Sequence, residues 1–350
     1  APMKLFKLLL FLLFIHNVFI NGVYIDNVSL ENVEEAFQDF IKVYKKSYYP
    51  GDKEYNRRLA YFQENIKRHS AYNSKRTHNA SAIYGINKFS DLSQEEFRKL
   101  YLLDSRLLYS AVTCDCPPAA PSINPPTTSY PLKFDWRDKK VVTPVKNQKA
   151  CGACWAFSVV ETVESMVGIK YNSTPGLSVQ QVIDCAGGPN QGCNGGDTCN
   201  AIDWMKTSRT ALVKEELYPL TDSSDACKMF PSGQKGARVK DFQCYGFTNS
   251  LTYPEREEEL WKWLYHYGPL SISVDATTWN DYLGGIIQYH CEAWNNHAVQ
   301  IIGYDRSGPI PYYIARNSWG TDWGIDGYLH IKIGKNVCGV ANRVSRIITY

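Results

Sequence analysis

The stretch Gln148-Lys-Ala-Cys151-Gly-Ala-Cys154-Trp155-Ala-Phe157 decides how this chain is read. Val159, Val160, Val163, Met166 and Val167 follow it at helical spacing, and Gly168 predicts the stop of that helix. Cys154 therefore stands where a helix begins, and there the macrodipole favours a negative charge. The thiolate is the reactive form of cysteine, so the placement suits a nucleophile. Two further pieces lie far along the chain: His297, and the run Asn317-Ser318-Trp319-Gly320. A thiol, an imidazole and a carboxamide are the parts of a nucleophile, its base and a group that orients the base. Asn317 is expected to accept the Nδ1–H of His297 and leave Nε2 for the sulfur, without adding a charge that competes for the proton. Cys151-Gly-Ala-Cys154 also admits a thiol–disulfide oxidoreductase. No βαβ pattern precedes it, and Cys193-Asn-Gly-Gly196 offers Cys151 another partner. A non-catalytic protein that only binds is the third reading.

Downstream of about residue 238 the pattern changes from helical to extended. Leu270-Ser-Ile-Ser-Val274 alternates apolar and polar residues, and His297–Ile302, Tyr312–Ile314 and Tyr328–Ile331 read as further strands. A mainly helical lobe (130–237) followed by a mainly β lobe (238–350) is an α+β architecture. The thiol lies on the first and the imidazole on the second, which predicts a site in the cleft between them.

The 350 residues are 44% hydrophobic with a net charge of +3, enough for a large core. No basic stripe with interleaved aromatics suggests nucleic-acid binding. Eleven cysteines suit an oxidising compartment, and the odd number leaves at least one free thiol. Their scattered spacing does not suggest a metal site, and no cofactor motif is present. Cys114, Cys116, Cys199 and Cys244 have no assigned partner, with Cys199–Cys244 one pairing. Lys4 and Lys7 before the apolar Leu8–Ile15 predict a signal peptide over 1–22, and no lasting membrane insertion once it is removed. Asn27-Val-Ser29, Asn79-Ala-Ser81 and Asn172-Ser-Thr174 are glycan acceptor sequons at Asn27, Asn79 and Asn172. Ala36, Phe37, Phe40, Ile41 and Tyr44 predict one helix. After Pro50-Gly51, Leu59, Phe62, Ile66 and His69 predict a second. Five prolines between Cys114 and Tyr130 make that segment an extended linker. Residues 23–129 are thus a helical region plus linker, ahead of a globular 130–350.

The residues around Cys154, with His297 and Asn317-Ser-Trp-Gly, resemble the papain-like cysteine proteases, over nearly the whole chain. Leu177–Cys185, Asp281–Gln288 and Asn336–Gly339 point to one group of cathepsins within that family. Glu54, Arg58, Phe62, Asn65 and Asn73 match the interwoven motif of the propeptides of L-type cathepsins, with His69 where that motif has Ile. Gly85, Asn87, Phe89 and Asp91 match its second motif. The resemblance implies a two-lobed fold with a helical left lobe and a β-barrel-like right lobe, preceded by an inhibitory prodomain anchored by Asp91. It implies an endopeptidase acting on proteins and peptides, made as a zymogen, located in the lysosome or outside the cell and met by cystatin-like inhibitors. Gln148 would help form the oxyanion hole, and Trp319 would shield the His297–Asn317 bond. Disulfides would join Cys151 to Cys193, Cys185 to Cys227 and Cys291 to Cys338. Gly195 and Gly196 would hold substrate backbone. Thr198, Ser273, Asn295, Ala298 and Arg343 would line the S2 pocket with Asp197 at its rim. Arg343 either pairs with Asp197 or keeps its guanidinium for an acidic or polar P2 side chain, and the second is the expectation here.

Overall fold

The computed structural model describes residues 32–103, 129–231, 233–246, 257–291 and 295–350. The signal segment, Asn27, Cys114, Cys116 and the linker lie outside the described residues. The chain divides into two compact units. One holds residues 1–97 with the excursion Thr278–Gly284, and the other holds 98–277 with 285–350.

The first unit is a helical hairpin with a short ladder. Helix α1 (Val33–Val43) and helix α2 (Lys53–Asn73) are joined through Gly51, whose φ of +97° suits glycine. The apolar stripes expected at three- and four-residue steps meet here. Phe37, Phe40, Tyr55 and Phe62 are buried, with Phe62 5.2 Å by ring centroid from both Phe37 and Phe40. The motif residues are the polar frame of the hairpin. Arg58 reaches Glu54 at 2.7 Å and Glu96 at 2.6 Å. Asn65 donates to the carbonyls of Ser90 and Leu92 at 2.7 and 3.0 Å. Asn73 pairs with both backbone groups of Tyr84 on strand β1 (Ile83–Tyr84). Asp91 departs from expectation. Its buried carboxylate accepts from Lys46 Nζ (2.9 Å) and Tyr48 Oη (2.8 Å), so these bonds brace the first unit internally.

Helix α3 (Gln94–Tyr101) leads into the second unit. There, helices α4 (Cys154–Tyr171), α5 (Val179–Cys185) and α6 (Thr198–Thr207) precede strand β3 (Val239–Tyr245), helix α7 (Glu257–Tyr267) and strand β4 (Leu270–Val274). Strands β7 (His297–Asp305), β8 (Tyr312–Arg316), β9 (Tyr328–Lys332) and β10 (Arg343–Thr349) complete most of an eight-stranded sheet. Its order runs β3-β10-β4-β7-β8-β9-β6, where β6 is Ile286–Ile287 and β2 (Lys133–Asp135) pairs with β7. The α+β class holds. Helices and sheet share one core in which Trp155, Val159 and Val163 of α4 meet Ala298 and Ile347 of the sheet. Helix α4 runs three residues past the predicted stop. Gly168 lies inside it because a Cβ there would come within 3.2 Å of Val141, and Asn172 at φ +52° is the left-handed cap.

The core of the first unit is small, so one ring matters. Phe62→Ala is expected to weaken the hairpin by about 3–5 kcal/mol. The check is hydrogen exchange across α2 in the full-length chain, and unchanged protection there contradicts it.

Candidate active site

Cys154 opens α4 with no exposed surface, and His297 opens β7, equally buried. The placement of each follows from how α4 lies on the sheet. Ser158, one turn after the cysteine, donates to the Val299 carbonyl at 2.7 Å. Gln300 donates to the Glu161 carbonyl and to Ser165 Oγ at 3.1 Å each. Backbone groups of Ala298, Trp155 and Cys154 itself surround the sulfur and favour its ionised form.

His297 is oriented as expected in kind but not in detail. Nε2, not Nδ1, faces Asn317 Oδ1 at 2.8 Å. The reason is direction: His297 enters from the start of β7 while Asn317 follows the end of the neighbouring β8, so the far ring nitrogen is the one that reaches the amide. Asn317 Oδ1 also accepts the Ser318 N–H at 2.8 Å, and its own N–H binds the Gly327 carbonyl. Trp319 lies over the imidazole with centroids 4.8 Å apart, and Trp323 packs edge-on against Trp319 at the same distance. Both indoles are buried, so they keep water from the His297–Asn317 bond. Arg316, just before Asn317, is fully buried. It donates to Thr143 O at 2.6 Å and lies 3.3 Å from Glu161 on α4. That pair ties the strand carrying Asn317 to the helix carrying Cys154. Arg316 and Glu161 had no sequence signal, because a buried ion pair has no periodicity to announce it.

Gln148 reaches the turn that leads into Cys154. Ser318 Oγ donates to its Oε1 at 2.6 Å, which turns Nε2 toward the site. Nε2 donates to the Cys151 carbonyl at 2.9 Å and to the Tyr101 carbonyl at 3.2 Å. The segment Arg98–Leu103 lies along this site. Leu103 N–H binds the Asn296 carbonyl at 2.7 Å, Tyr101 packs on Trp319, and Leu103 sits 3.5 Å from where a Cβ on Gly195 would be. Gly195 has φ +124°, and a Cβ on Gly196 would come 2.5 Å from Trp155, so both positions need glycine.

The cross-strand register sets Ala298, Ser273 and Arg343 in one row over β7, β4 and β10. Thr198 begins α6 beside them, and Asn295 precedes His297 with its Oδ1 buried and without a hydrogen-bond partner. Arg343 is not free. Its Nη2 binds Asp197 Oδ1 at 2.8 Å, and Asp197 also caps α6 by accepting the Asn200 N–H. The expected free guanidinium is replaced by a pair because Asp197 is itself buried and needs a counter-charge. Nε of Arg343 has no partner.

Disulfides Cys151–Cys193, Cys185–Cys227 and Cys291–Cys338 are formed as the resemblance implied, and Cys199–Cys244 makes a fourth. Among the described residues Cys154 is the free thiol, so Cys151 and Cys154 are not a redox pair. Covered in this way, the thiol and imidazole are both driven toward neutrality. Burial pushes Cys154 up to about 12 and His297 down to about 4. The thiolate expected from the helix N-terminus is thus suppressed by desolvation in the closed form.

Residues 130–348 match the papain family cysteine protease description, and residues 37–97 match the cathepsin propeptide inhibitor domain. The chain belongs to the papain family of cysteine proteases and is made as a zymogen with its own inhibitory propeptide. It is 46% identical to cathepsin O of Homo sapiens over 293 residues, 83% of this chain and 88% of that protein. Cathepsin O of Mus musculus is 45% identical over 294 residues, 84% and 90% of the two chains. Among solved structures, the digestive procathepsin L2 of Tenebrio molitor larval midgut superposes with a TM-score of 0.77 at 30% identity, covering 90% of this chain and 99% of that one.

The neutral pair makes a checkable claim. In the intact zymogen, alkylation of Cys154 by iodoacetamide should be slow at neutral pH and keep rising into the alkaline range, because only the thiolate reacts. Rates already on a plateau near neutrality in the intact zymogen contradict the burial argument.

Proposed function

We propose that Cys154 attacks the scissile carbonyl of an internal peptide bond and forms a thioester acyl-enzyme. His297 takes the thiol proton through Nδ1 and returns it to the leaving amine. Asn317 holds the ring through Nε2. Gln148 Nε2, with the Cys154 backbone N–H, receives the oxyanion. The observation that carries this is the Gln148 contact: a peptide carbonyl of the chain's own segment, that of Tyr101, already occupies the donor beside the thiol. Glycines 195 and 196 leave room for substrate main chain. Cys154→Ser should abolish peptidase activity in a folded chain, and His297→Ala should cost nearly as much because the two act as a unit. Gln148→Ala should lower kcat by about a hundred- to a thousand-fold. Residual activity of the Cys154→Ser variant above background, on a fluorogenic peptide, sinks the mechanism.

The mature peptidase begins near Tyr130, and the region before it is removed on activation. Hydrogen bonding from Arg57, together with Arg58, holds the Glu54 carboxyl below its usual range. A depressed carboxylate stabilises the closed state above its unfolded pKa and loses that contribution as pH falls through the folded one. Glu54 is largely exposed and both partners lie on its own helix, so this loss weakens the hairpin itself. A zymogen stable at neutral pH and converted in acid belongs to the same proposal, as does a lysosomal or extracellular protease that enters the secretory pathway. Cystatin-like inhibitors are proposed partners of the same site. Asn79 and Asn172 are exposed, as glycan acceptors must be. Among the described residues no helix is long and apolar enough to cross a membrane.

For specificity, the pocket of Thr198, Ser273, Asn295, Ala298 and Arg343 is polar yet carries no net charge, since Asp197 answers Arg343. Gln at P2 should be accepted at least as well as Glu. Asp197→Asn keeps a helix-capping side chain but releases the guanidinium, and should raise kcat/KM for Glu relative to Gln by about tenfold. Matched peptides with Leu, Phe, Gln and Glu at P2 provide the measurement. A wild type that already favours Glu, or a ratio unmoved by Asp197→Asn, refutes the neutral-pocket reading.

A further inference from the structure

The excursion Thr278–Gly284 belongs to the peptidase by sequence match and to the prodomain unit by packing. Most of what holds it there is blind to sequence. Gly85 N–H binds the Asp281 carbonyl at 2.9 Å, and strand β1 pairs with strand β5 (Tyr282–Gly284) through backbone groups. Asn87 donates to the Asn280 carbonyl at 2.6 Å. Trp279 and Tyr282 are buried within the same packing.

One contact reads side chains. The Asp281 carboxylate has no exposed surface. Its Oδ2 receives Arg68 Nε at 2.8 Å and Nη2 at 2.6 Å. Its Oδ1 lies 3.0 Å from His69 Nε2 and accepts from Asn280 at 3.0 Å. Arg68 and His69 are neighbours on α2, and His69 stands where the propeptide motif has Ile. The departure from the motif and the buried carboxylate therefore explain each other. An apolar residue at position 69 leaves Asp281 with Arg68 on Oδ2 and the neutral Asn280 amide on Oδ1, and a buried carboxylate that loses a partner is disfavoured.

We infer that Asp281 is the point at which this peptidase recognises its own prodomain, and that it selects a helix presenting adjacent Arg and His. The inference rests on the reading that the prodomain inhibits. It adds a selectivity that backbone pairing cannot supply: propeptides with the common apolar residue at this position bind this peptidase less well than its own.

The test uses the full-length zymogen and follows covalent labelling of Cys154 by a peptidyl epoxide at neutral pH, relative to the same peptidase with its prodomain removed. Wild-type zymogen should be labelled far more slowly than the mature form. Arg68→Ala, His69→Ile and Asp281→Asn should each speed labelling of the zymogen, Arg68→Ala by about tenfold. Arg68→Ala combined with Asp281→Asn should add little to either alone, because both break one interaction. Mature Asp281→Asn should keep wild-type kcat/KM. Strict additivity of the two substitutions, or a zymogen equally protected in every variant, overturns the recognition point while leaving inhibition by the prodomain intact. A wild-type zymogen labelled as fast as the mature peptidase overturns the inhibitory reading instead. Should Asp281→Asn fail to fold, Arg68→Ala with His69→Ile alters only the prodomain, and unchanged protection in that variant overturns the inference equally.

Discussion

Everything at this site depends on how helix α4 is buried against strand β7. The helix is covered on nearly every side, and several of its polar groups meet the sheet: Ser158 donates to Val299, the Glu161 carbonyl accepts from Gln300, and the Glu161 carboxylate lies 3.3 Å from Arg316. A buried helix with those polar contacts has one register on the sheet. That register brings the sulfur of Cys154 to the backbone of Ala298, the second residue of β7. Arg316 then carries the constraint one strand further, because the residue after it is Asn317. Cys154, His297 and Asn317 are thus positioned by one packed interface and its buried ion pair.

The same burial that positions the pair also silences it. A helix N-terminus and surrounding backbone groups favour a thiolate, yet desolvation outweighs them while Arg98–Leu103 covers the site. The neutral thiol and neutral imidazole are both consequences of exclusion of water. The Tyr101 carbonyl on Gln148 adds a second form of restraint, since it fills a donor that a reacting carbonyl would need.

The prodomain is built on a different principle from the peptidase. Its core is a small aromatic cluster, and its shape comes from a frame of charged and amide side chains: Arg58 with Glu54 and Glu96, Asn65, Asn73, and Asp91 with Lys46 and Tyr48. Such a frame responds to protonation more readily than an apolar core does. The Asp281 contact uses the same chemistry to distinguish one partner helix from another, and it shows why the position held by His69 departs from the motif.

The sequence by itself determined the reaction type and the class of fold. Cys154 at a helix start, His297 at the head of an alternating run, and Asn317 beside Trp319 are local signals, and strand periodicity in Leu270–Val274 and Tyr328–Ile331 is readable because half-buried strands alternate. Helix α4 was legible only in part, since a helix buried all round loses its stripe and Gly168 then looks like an end. The tertiary structure alone decided which imidazole nitrogen meets Asn317, that Arg343 is claimed by Asp197, that Asp91 pairs with Lys46 and Tyr48, and that Cys199 joins Cys244. Each of these depends on the direction in which a side chain leaves a strand or helix and on what else is buried there. Spacing along a chain carries neither quantity, because the partners are brought together only when the sheet and helices pack.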